Sequence, residues 1–572
     1  MKNYVSNMKK IYGNKAYVLL LTLTALCGYG FQVTHPTLGI DDTPYAYYFE
    51  EGLAAVVGRW VLFLINKFLH ISDFAPFVTD FAAVVIFMLA VTVWGTLFYT
   101  VLSERIPKWG YWLFSCIFLS CPLIAEVFTY YLHNGIAIGY LTCGVSLCLL
   151  REGLNEVVDK RWKPAALKLL GAMAAMVVAM GCYESFMIVW LVGLLLLLLC
   201  ERLAGGGKKV FLRLVCGAVV AALAMVARSV VLEIVIAAFG LQGLRDEAVL
   251  RSVTEMLGWM FEPGARAEFG MILKRLYVMY GVFAYAYYPI AIFVLAAVVI
   301  GLFGVWRSIR QRDGWIFLLT VGAFIAAFLL AIVEGKSTLY RSAQFLPLIC
   351  GFGVLIGACA VTGFADRLEQ IGKNNAGKAH KQDVLIWSAR LAKLSRVLFV
   401  VAAASILWNQ CTDLNKWFYV DYNKYQYAKE YMSRVGDALE REFDTSKPVI
   451  FTGEWDNPKS LVQDAYVEIG SETFYRMKRL TDPVDEHLLE KYYRNYGVWV
   501  AQTPSLSVVS WGKYAFDSDE ELIRFMRHHG YDVYPLMDSS LYEGAEQHAL
   551  NMPNFPQEGS IEDMGDYIIV HF

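Results

Sequence analysis

The feature that most restricts this chain is a series of apolar runs long enough to cross a hydrocarbon core, set apart by short charged stretches. A membrane-crossing helix needs roughly 20 mainly apolar residues. Runs such as "VWLVGLLLLLLC" (189–200) and "YYPIAIFVLAAVVIGLFGVW" (287–306) lack the polar stripe of a helix on a soluble surface. Composition agrees, with 57% hydrophobic and 18% charged residues, where soluble domains sit at about 45–50% and about 25%. The chain reads as an all-α polytopic membrane protein, not as a soluble enzyme with many buried helices.

The runs number about eleven, at 16–31, 78–100, 111–130, 135–150, 165–182, 186–200, 210–228, 278–306, 314–333, 345–364 and 397–410. The run at 135–150 follows "YYLHN" directly and reads as partly re-entrant, and the last run is short. Lysine and arginine bias sets the orientation. With the N-terminus inside, the inner segments hold Lys2, Lys9, Lys10 and Lys15, then Arg105 and Lys108, then Arg151, Lys160, Arg161, Lys163 and Lys168. Arg202, Lys208, Lys209 and Arg213 follow, then Arg307, Arg310 and Arg312, and last a basic linker at 367–396. The intervening loops are much poorer in basic residues, so the N-terminus is expected on the cytoplasmic side. The opening segment has the basic start and apolar core of a secretory signal, but ahead of a multispanning chain it reads as a retained anchor.

An odd number of spans puts the tail on the outer face. The expected division is a transmembrane domain at 1–410, whose outer loop 32–77 carries an Asp-Asp motif, and a small mixed α/β extracytoplasmic domain at 411–572. In that tail "KPVIFTG" (447–453) and "YIIVHF" (567–572) read as strands. "DSDEELIRFMRHHG" (517–530) reads as a helix with an acidic first turn, a basic last turn and a terminal glycine. The 11 cysteines lie in or at the edges of apolar runs, without metal-ligand spacing, and read as small packing residues. A net charge of -2 and the lack of a basic domain give no reason to expect nucleic acid as a partner.

A transporter should place ionisable groups or broken helices near mid-membrane. Here most span centres are clean, and polar residues gather at the outer ends: Asp41, Asp42, Glu126, His133, Asn134, Glu184, Glu233 and Glu334. Arg59, Arg228, Lys336 and Arg341 join them. This pattern describes a site at the outer interface, reachable by lipid headgroups and by water-borne molecules. Plainer readings exist for each residue. Glu184 in "CYESF" could cap the next helix, Glu126 and His133 flank an aromatic belt, Arg228 and Glu233 could pair, and Arg341 could snorkel. The aspartates stand apart, because adjacent carboxylates repel and a helix cap needs only one. They lie between the first span and "TPYAYYFEEGLAAVVGRWVLFLINKFLH", which suits a helix lying along the interface.

Several short motifs carry a resemblance: "HPTLGIDD" (35–42), "GRW" (58–60), "CYESF" (182–186), "LYRSAQFLPL" (339–348), "DYNKY" (421–425) and "NMPNFPQEGSI" (551–561). On these the chain resembles the bacterial glucosyl transferase II family, associated with O-antigen glucosylation, within the GT-C superfamily of integral-membrane glycosyltransferases. The resemblance covers nearly the whole chain. It implies a GT-C-like membrane domain in the plasma membrane that moves a hexose, glucose, from a polyprenyl-phosphate-linked donor to a cell-envelope glycan acceptor on the outer face, with inversion.

With that chemistry, Asp41 or Asp42 is expected to take the acceptor proton, since a hydroxyl is a poor nucleophile. Arg341, with Arg59 and Lys336, is expected on the donor phosphate, because a planar guanidinium fork matches it. Tyr340, Glu184, Tyr183, His133 and Trp60 are the expected substrate contacts. The paired acids could alternatively hold a divalent cation, Mg or Mn; no other cofactor is expected. A glycine-rich phosphate loop is missing from the sequence, which argues against a nucleotide-sugar donor. Hydrolysis is a second enzymatic reading. A transporter or flippase of lipid-linked sugars or polysaccharide, and a non-catalytic envelope sensor, are the rivals from other classes.

Overall fold

The computed structural model describes residues 2–37, 52–69, 76–128, 133–206, 209–247, 258–277, 280–281, 288–335, 342–375, 382–453, 455, 519–536 and 538–572. A basic helix α1 (Lys2–Tyr12) precedes α2 (Lys15–Thr34), and α3 (Trp60–Leu69) and α4 (Pro76–Leu102) follow. Next come α5 (Lys108–Leu119), α6 (His133–Val158), α7 (Trp162–Cys182), α8 (Phe186–Leu203) and α9 (Val210–Phe239). The bundle closes with α10 (Tyr288–Gln311), α11 (Gly314–Ala327), α12 (Leu346–Asn375) and α13 (Gln382–Glu442). Among the described residues nine helices are long and apolar enough to cross a membrane: α2, α4, α6, α7, α8, α9, α10, α12 and α13. The protein is an all-α polytopic chain over this region.

The remaining two apolar runs are broken. The run at 111–130 gives α5, only 12 residues long, and a separate 3-10 turn at Pro122–Phe128. Pro122 has no N–H and disfavours helix in the residue before it, so a continuous span cannot form there. The run at 314–333 gives the 14-residue α11 and a second short helix at Leu329–Glu334. The run expected to be re-entrant is instead the interior of α6, one continuous helix of 26 residues. The short last run belongs to α13, which has 61 residues and passes through position 410 without a break. At 1.5 Å per residue it is about 90 Å long, so much of it stands outside a hydrocarbon core about 30 Å thick.

Packing inside the bundle is aromatic. Tyr140 lies 5.2 Å from the Phe87 and Phe118 rings and 5.0 Å from Phe186. Its neighbour Gly139 faces the Phe186 ring so closely that a Cβ would collide with it, which is why this helix crossing carries glycine. Polar atoms at mid-helix are mostly hydroxyls turned back on their own helix: Thr24 donates to Leu20, Thr92 to Met88, Ser115 to Tyr111 and Thr320 to Ile316. A bilayer offers no water to satisfy such groups, so they are satisfied within the segment.

One end of the bundle carries the basic residues in paired form. Arg213 and Arg151 both reach the buried Glu201, at 3.0 and 2.9 Å, and Arg213 also donates to Asn155 at 2.6 Å. Lys168 binds Glu156 at 2.8 Å, Arg202 binds Asp313, and Arg105 donates to the carbonyls of Leu203 and Ala204. These contacts lock the ends of α6, α7, α8 and α9 together. The opposite end of α7, about 30 Å away along its 21 residues, is where the polar groups considered below collect.

Beyond α13 a four-stranded sheet forms in the order β2-β1-β4-β3 from β1 (Pro448–Thr452), β2 (Tyr534–Pro535), β3 (Ile561–Asp563) and β4 (Ile568–His571). The β1–β2 and β1–β4 pairs are parallel and β3–β4 is antiparallel. Helices α14 (Asp519–His528) and α15 (Tyr542–Ala549) accompany it. The expected strands and helix of the tail thus occur at their expected places. The unit is pinned to α13 by Tyr431, which stacks on Trp455 at 4.9 Å and donates to the Phe555 carbonyl at 3.0 Å. Lys447 grips both oxygens of Asp563, at 2.8 and 2.6 Å, and holds that carboxyl below its usual range. A depressed carboxyl stabilises fully above the ordinary aspartate range and less as pH falls through the lowered value.

The paired end gives a stability prediction. Glu201→Ala strands two arginines in a buried setting, and removing one partner of a buried pair costs about 3–5 kcal/mol. A clearly lowered midpoint is expected in thermal unfolding of the detergent-solubilised protein. An unchanged midpoint would show that the network contributes nothing to holding the helices.

Candidate functional site

Helix α2 ends against α13. The Thr34 hydroxyl turns back to the Gly30 carbonyl at 2.9 Å, and the His35 N–H donates to the Phe31 carbonyl at 2.9 Å. The His35 ring stacks on Phe31 with 4.2 Å between centroids, and Tyr422 of α13 meets it edge-on at 5.0 Å. Two residues further, the Thr37 hydroxyl donates to an Asp421 carboxylate oxygen at 2.6 Å. Both residues are buried. That is a short bond, and it joins the start of "HPTLGIDD" to the start of "DYNKY". Asp41 and Asp42 themselves lie outside the described residues, as do Lys336, Tyr340 and Arg341. Close to Arg341 in sequence, the buried Gln344 accepts a 2.6 Å hydrogen bond from Tyr140 at its backbone carbonyl.

A second corner forms where α3 begins. Gly58 takes a left-handed conformation (φ 94°) and turns the chain so that Arg59 and Trp60 face the junction between α7 and α8. The Arg59 guanidinium lies over the Tyr183 ring, 4.5 Å from its centre. Trp60 packs on Gly181, where a Cβ would strike the indole. From α9, Arg228 donates to the Gly58 carbonyl at 3.2 Å and forms an ion pair with Glu184. Four expected site residues, Arg59, Trp60, Tyr183 and Glu184, are therefore gathered from two separate stretches of chain, with Arg228 joining from a third. His133 opens α6, and its side chain lies outside the described residues, like that of Glu126.

One plainer reading of this corner does not hold. Glu184 does not cap α8, whose N-cap is Ser185 without a side-chain cap bond. Arg228 turns its guanidinium to Glu184. Its place was legible in one respect: the apolar run 210–228 ends on this arginine, about the length of one span from its start. Ser185 and Asp421 were missed as individual side chains, because nothing in their spacing distinguishes them from loop or helix-surface residues.

The electrostatic character of the corner lies in its spare donors. The Nε atoms of Arg59 and Arg228, Nε1 of Trp60 and Oγ of Ser185 are buried without a hydrogen-bond partner among the described residues. Each such group costs roughly 1–3 kcal/mol unless something satisfies it. Two guanidinium groups, a hydroxyl and an indole N–H suit an anionic, oxygen-rich ligand. The first turns of α6 tie the corner to the rest of this end: Gly135 abuts Leu62 and Cys182, and Tyr140 reaches Gln344. No cluster of three or more potential metal ligands occurs among the described residues.

Fold and site together define a polytopic membrane protein with a cationic, donor-rich corner at one end of its helix bundle. A family model, Glucosyl transferase GtrII, matches residues 30–357, more than half of the chain, and the protein belongs to that family. Membership makes it a glucosyltransferase. Comparison with curated proteins and with solved structures gave no match. The matched stretch takes in Asp41, Asp42, both corners' loops and Arg341, and leaves α13 and the sheet outside.

Gly58 offers a direct test of the corner. A Cβ there would collide with the Arg228 guanidinium and the Glu184 carboxylate, so Gly58→Ala must displace the pair as well as strain the backbone by about 1–3 kcal/mol. Gly264 also has positive φ (111°) but open space around it, so Gly264→Ala should carry strain alone. Turnover in nanodiscs is expected to fall at least tenfold for Gly58→Ala and to stay near normal for Gly264→Ala. Equal turnover in the two would show that the Arg228–Glu184 pair has no part in the site.

Proposed function

We propose that this protein transfers glucose from a polyprenyl-phosphate-linked donor to a cell-envelope glycan on the outer face of the bacterial plasma membrane, inverting the anomeric carbon. The observation that carries this reading is the set of spare buried donors on Arg59, Arg228 and Ser185, in a glucosyltransferase, at the helix end from which the Asp41–Asp42 segment departs. A donor that is itself a lipid suits a site at the bundle end, with its tail among the helices and its phosphate at interface depth. The acceptor then arrives from water, where the unit carried by α13 is suited to meet it.

In the proposed reaction the acceptor oxygen attacks the anomeric carbon as its bond to the phosphate oxygen breaks. The hydroxyl proton passes to Asp41 or Asp42, and the bonding electron pair leaves with polyprenyl phosphate. A phosphate is already a good leaving group, so what it needs is positive charge opposite the developing negative charge. Arg341 and Arg59, with Lys336, would supply that charge, and Arg228 would hold Glu184 and the Gly58 turn in register. Tyr183, Trp60, Tyr340, Glu184 and His133 would make the contacts to the sugar. Attack from the face opposite the phosphate gives inversion.

Orientation is part of the proposal. Arg105, Arg151, Lys168, Arg202 and Arg213 occupy the end of the bundle opposite the donor-rich corner, which supports a cytoplasmic assignment for that end. Cysteine labelling in intact cells is expected to protect positions 9 and 378 and to expose positions 42 and 517. A cytoplasmic position 517 would contradict the proposed face.

The acids are tested directly. Asp41→Asn and Asp42→Asn should keep the thermal midpoint of the wild type, while one of them loses 10²–10⁴-fold in turnover, as removal of a general base does, and the other loses less. Asp41 is the expected base, with Asp42 orienting the acceptor. Two folded variants with full turnover would reduce the pair to a helix cap.

A further inference from the structure

One short polar contact at the site end is one that the proposed reaction does not use. Thr37 and Asp421 are separated by 384 positions in the sequence, both are buried, and their oxygens lie 2.6 Å apart. The distance is at the short end for an O–H···O bond, and such a bond to an ionised carboxylate is roughly twice as strong as a neutral one. A buried carboxylate is expensive to keep, so a chain that places one here needs a reason. A helix-to-helix spacer would have served as well with an apolar pair.

The surroundings hold the bond rigid. Below it, Asn415 donates to the Cys27 carbonyl and to the Cys411 carbonyl, and Gly28 lets Leu414 approach α2 closely. Around it, Phe31 meets Tyr419 and Tyr422 at 5.9 and 5.8 Å, and Tyr422 meets His35. The α2–α13 seam is thus zipped from Thr24 upward, and the Thr37–Asp421 bond is its last tooth before the chain enters the segment with Asp41 and Asp42. Four residues of extended chain reach at most about 14 Å, so fixing Thr37 confines where Asp41 can go.

We infer that Asp421 is a positioning residue for glucosyl transfer, holding Thr37 so that the Asp41–Asp42 segment leaves α2 at a fixed point. The inference rests on the proposed role of that segment. Its consequence is kinetic: loosening the anchor misplaces a base by a fraction of an ångström or more, and misplacement of about 1 Å from a remote change can cost 10²-fold. Donor binding, which the arginines provide, is left intact.

The test compares Thr37→Val, Thr37→Ser, Asp421→Asn, Asp41→Asn and Asp42→Asn in nanodiscs, using labelled polyprenyl-phosphoglucose as donor. Valine removes the hydroxyl at nearly constant shape, serine restores it, and asparagine keeps an acceptor without charge. Thr37→Val is expected to lower kcat about 10–100-fold, with donor KM within about twofold and an unchanged thermal midpoint. Thr37→Ser should recover most of the rate, and Asp421→Asn should fall between. A Thr37→Val protein with wild-type kcat overturns the inference while Asp41→Asn or Asp42→Asn can still be inactive, which leaves the proposed reaction standing. A loss that tracks the thermal midpoint, or that serine fails to rescue, also overturns it and makes the bond a structural clasp. Full activity in both aspartate variants is the separate signature that the underlying reaction is wrong.

Discussion

A charge cannot be left unpaired in hydrocarbon, and the arrangement of this protein follows from that constraint. Ionised groups in a spanning helix are either neutralised by a partner or carried to an end, and the chain does both, differently at its two ends. At one end Arg151, Arg213 and Glu201 form a buried cluster, with Lys168–Glu156 and Arg202–Asp313 beside it. At the other, Arg59 has no ion-pair partner among the described residues and rests on the Tyr183 ring, while Nε of Arg59 and of Arg228 lack hydrogen-bond partners there, a trait that Nε of Arg213 shares at the first end. The first arrangement holds helices together. The second leaves binding capacity unspent, which is what a site for an anionic ligand requires, and natural sequences tend to break local rules at functional sites.

The glycines and aromatics near the second end make its geometry specific. Gly58 must be glycine both for its φ and for the space taken by Arg228 and Glu184, while Gly181 and Gly135 allow α3 to lie against α6 and α7. Arg59 gains a face of Tyr183 to rest on, a contact that leaves its hydrogen-bonding edge available. Helix α13 adds a different element. It pairs with α2 through the bilayer region, reaches the site end at Asp421, and continues to Glu442, where the sheet is built against Tyr431. One rigid rod therefore links the departure point of the Asp41–Asp42 segment to the C-terminal unit.

Hydropathy made most of this fold legible, because a run of 20 apolar residues has few alternatives to a spanning helix. It failed where a local rule competed. Pro122 cut one run into α5 and a 3-10 turn, and the re-entrant reading of 135–150 gave way to a continuous α6, since nothing in that run breaks a helix. The end of α13 was also hidden. Residues 411–442 are polar enough to resemble a soluble tail, yet they continue the helix, packing on α2 and the chain just after it through Leu414, Asn415, Asp421 and Tyr422 and on the sheet unit through Tyr431. At the site, residue types and loop positions pointed to Arg59, Trp60, Tyr183 and Glu184, which come together. Partner choice did not follow: that Arg228 goes to Glu184, and Thr37 to Asp421, depends on which helices are neighbours, and a single sequence does not encode that locally.

The account joins a family activity, glucosyl transfer, to a proposed donor and stereochemistry. The proposed lipid-phosphate donor suits a donor-rich corner at the end of the bundle, and the proposed single displacement needs a base and no second nucleophile. The most direct measurement is product analysis from the purified protein in nanodiscs given polyprenyl-phosphate-linked glucose labelled in the sugar, with a nucleotide-linked glucose offered in parallel. The predicted result is one polyprenyl phosphate released per glucose transferred, and a product whose anomeric configuration, read by NMR, is opposite to that of the donor. Transfer from the nucleotide sugar alone, or a product that retains the donor's configuration, would contradict it.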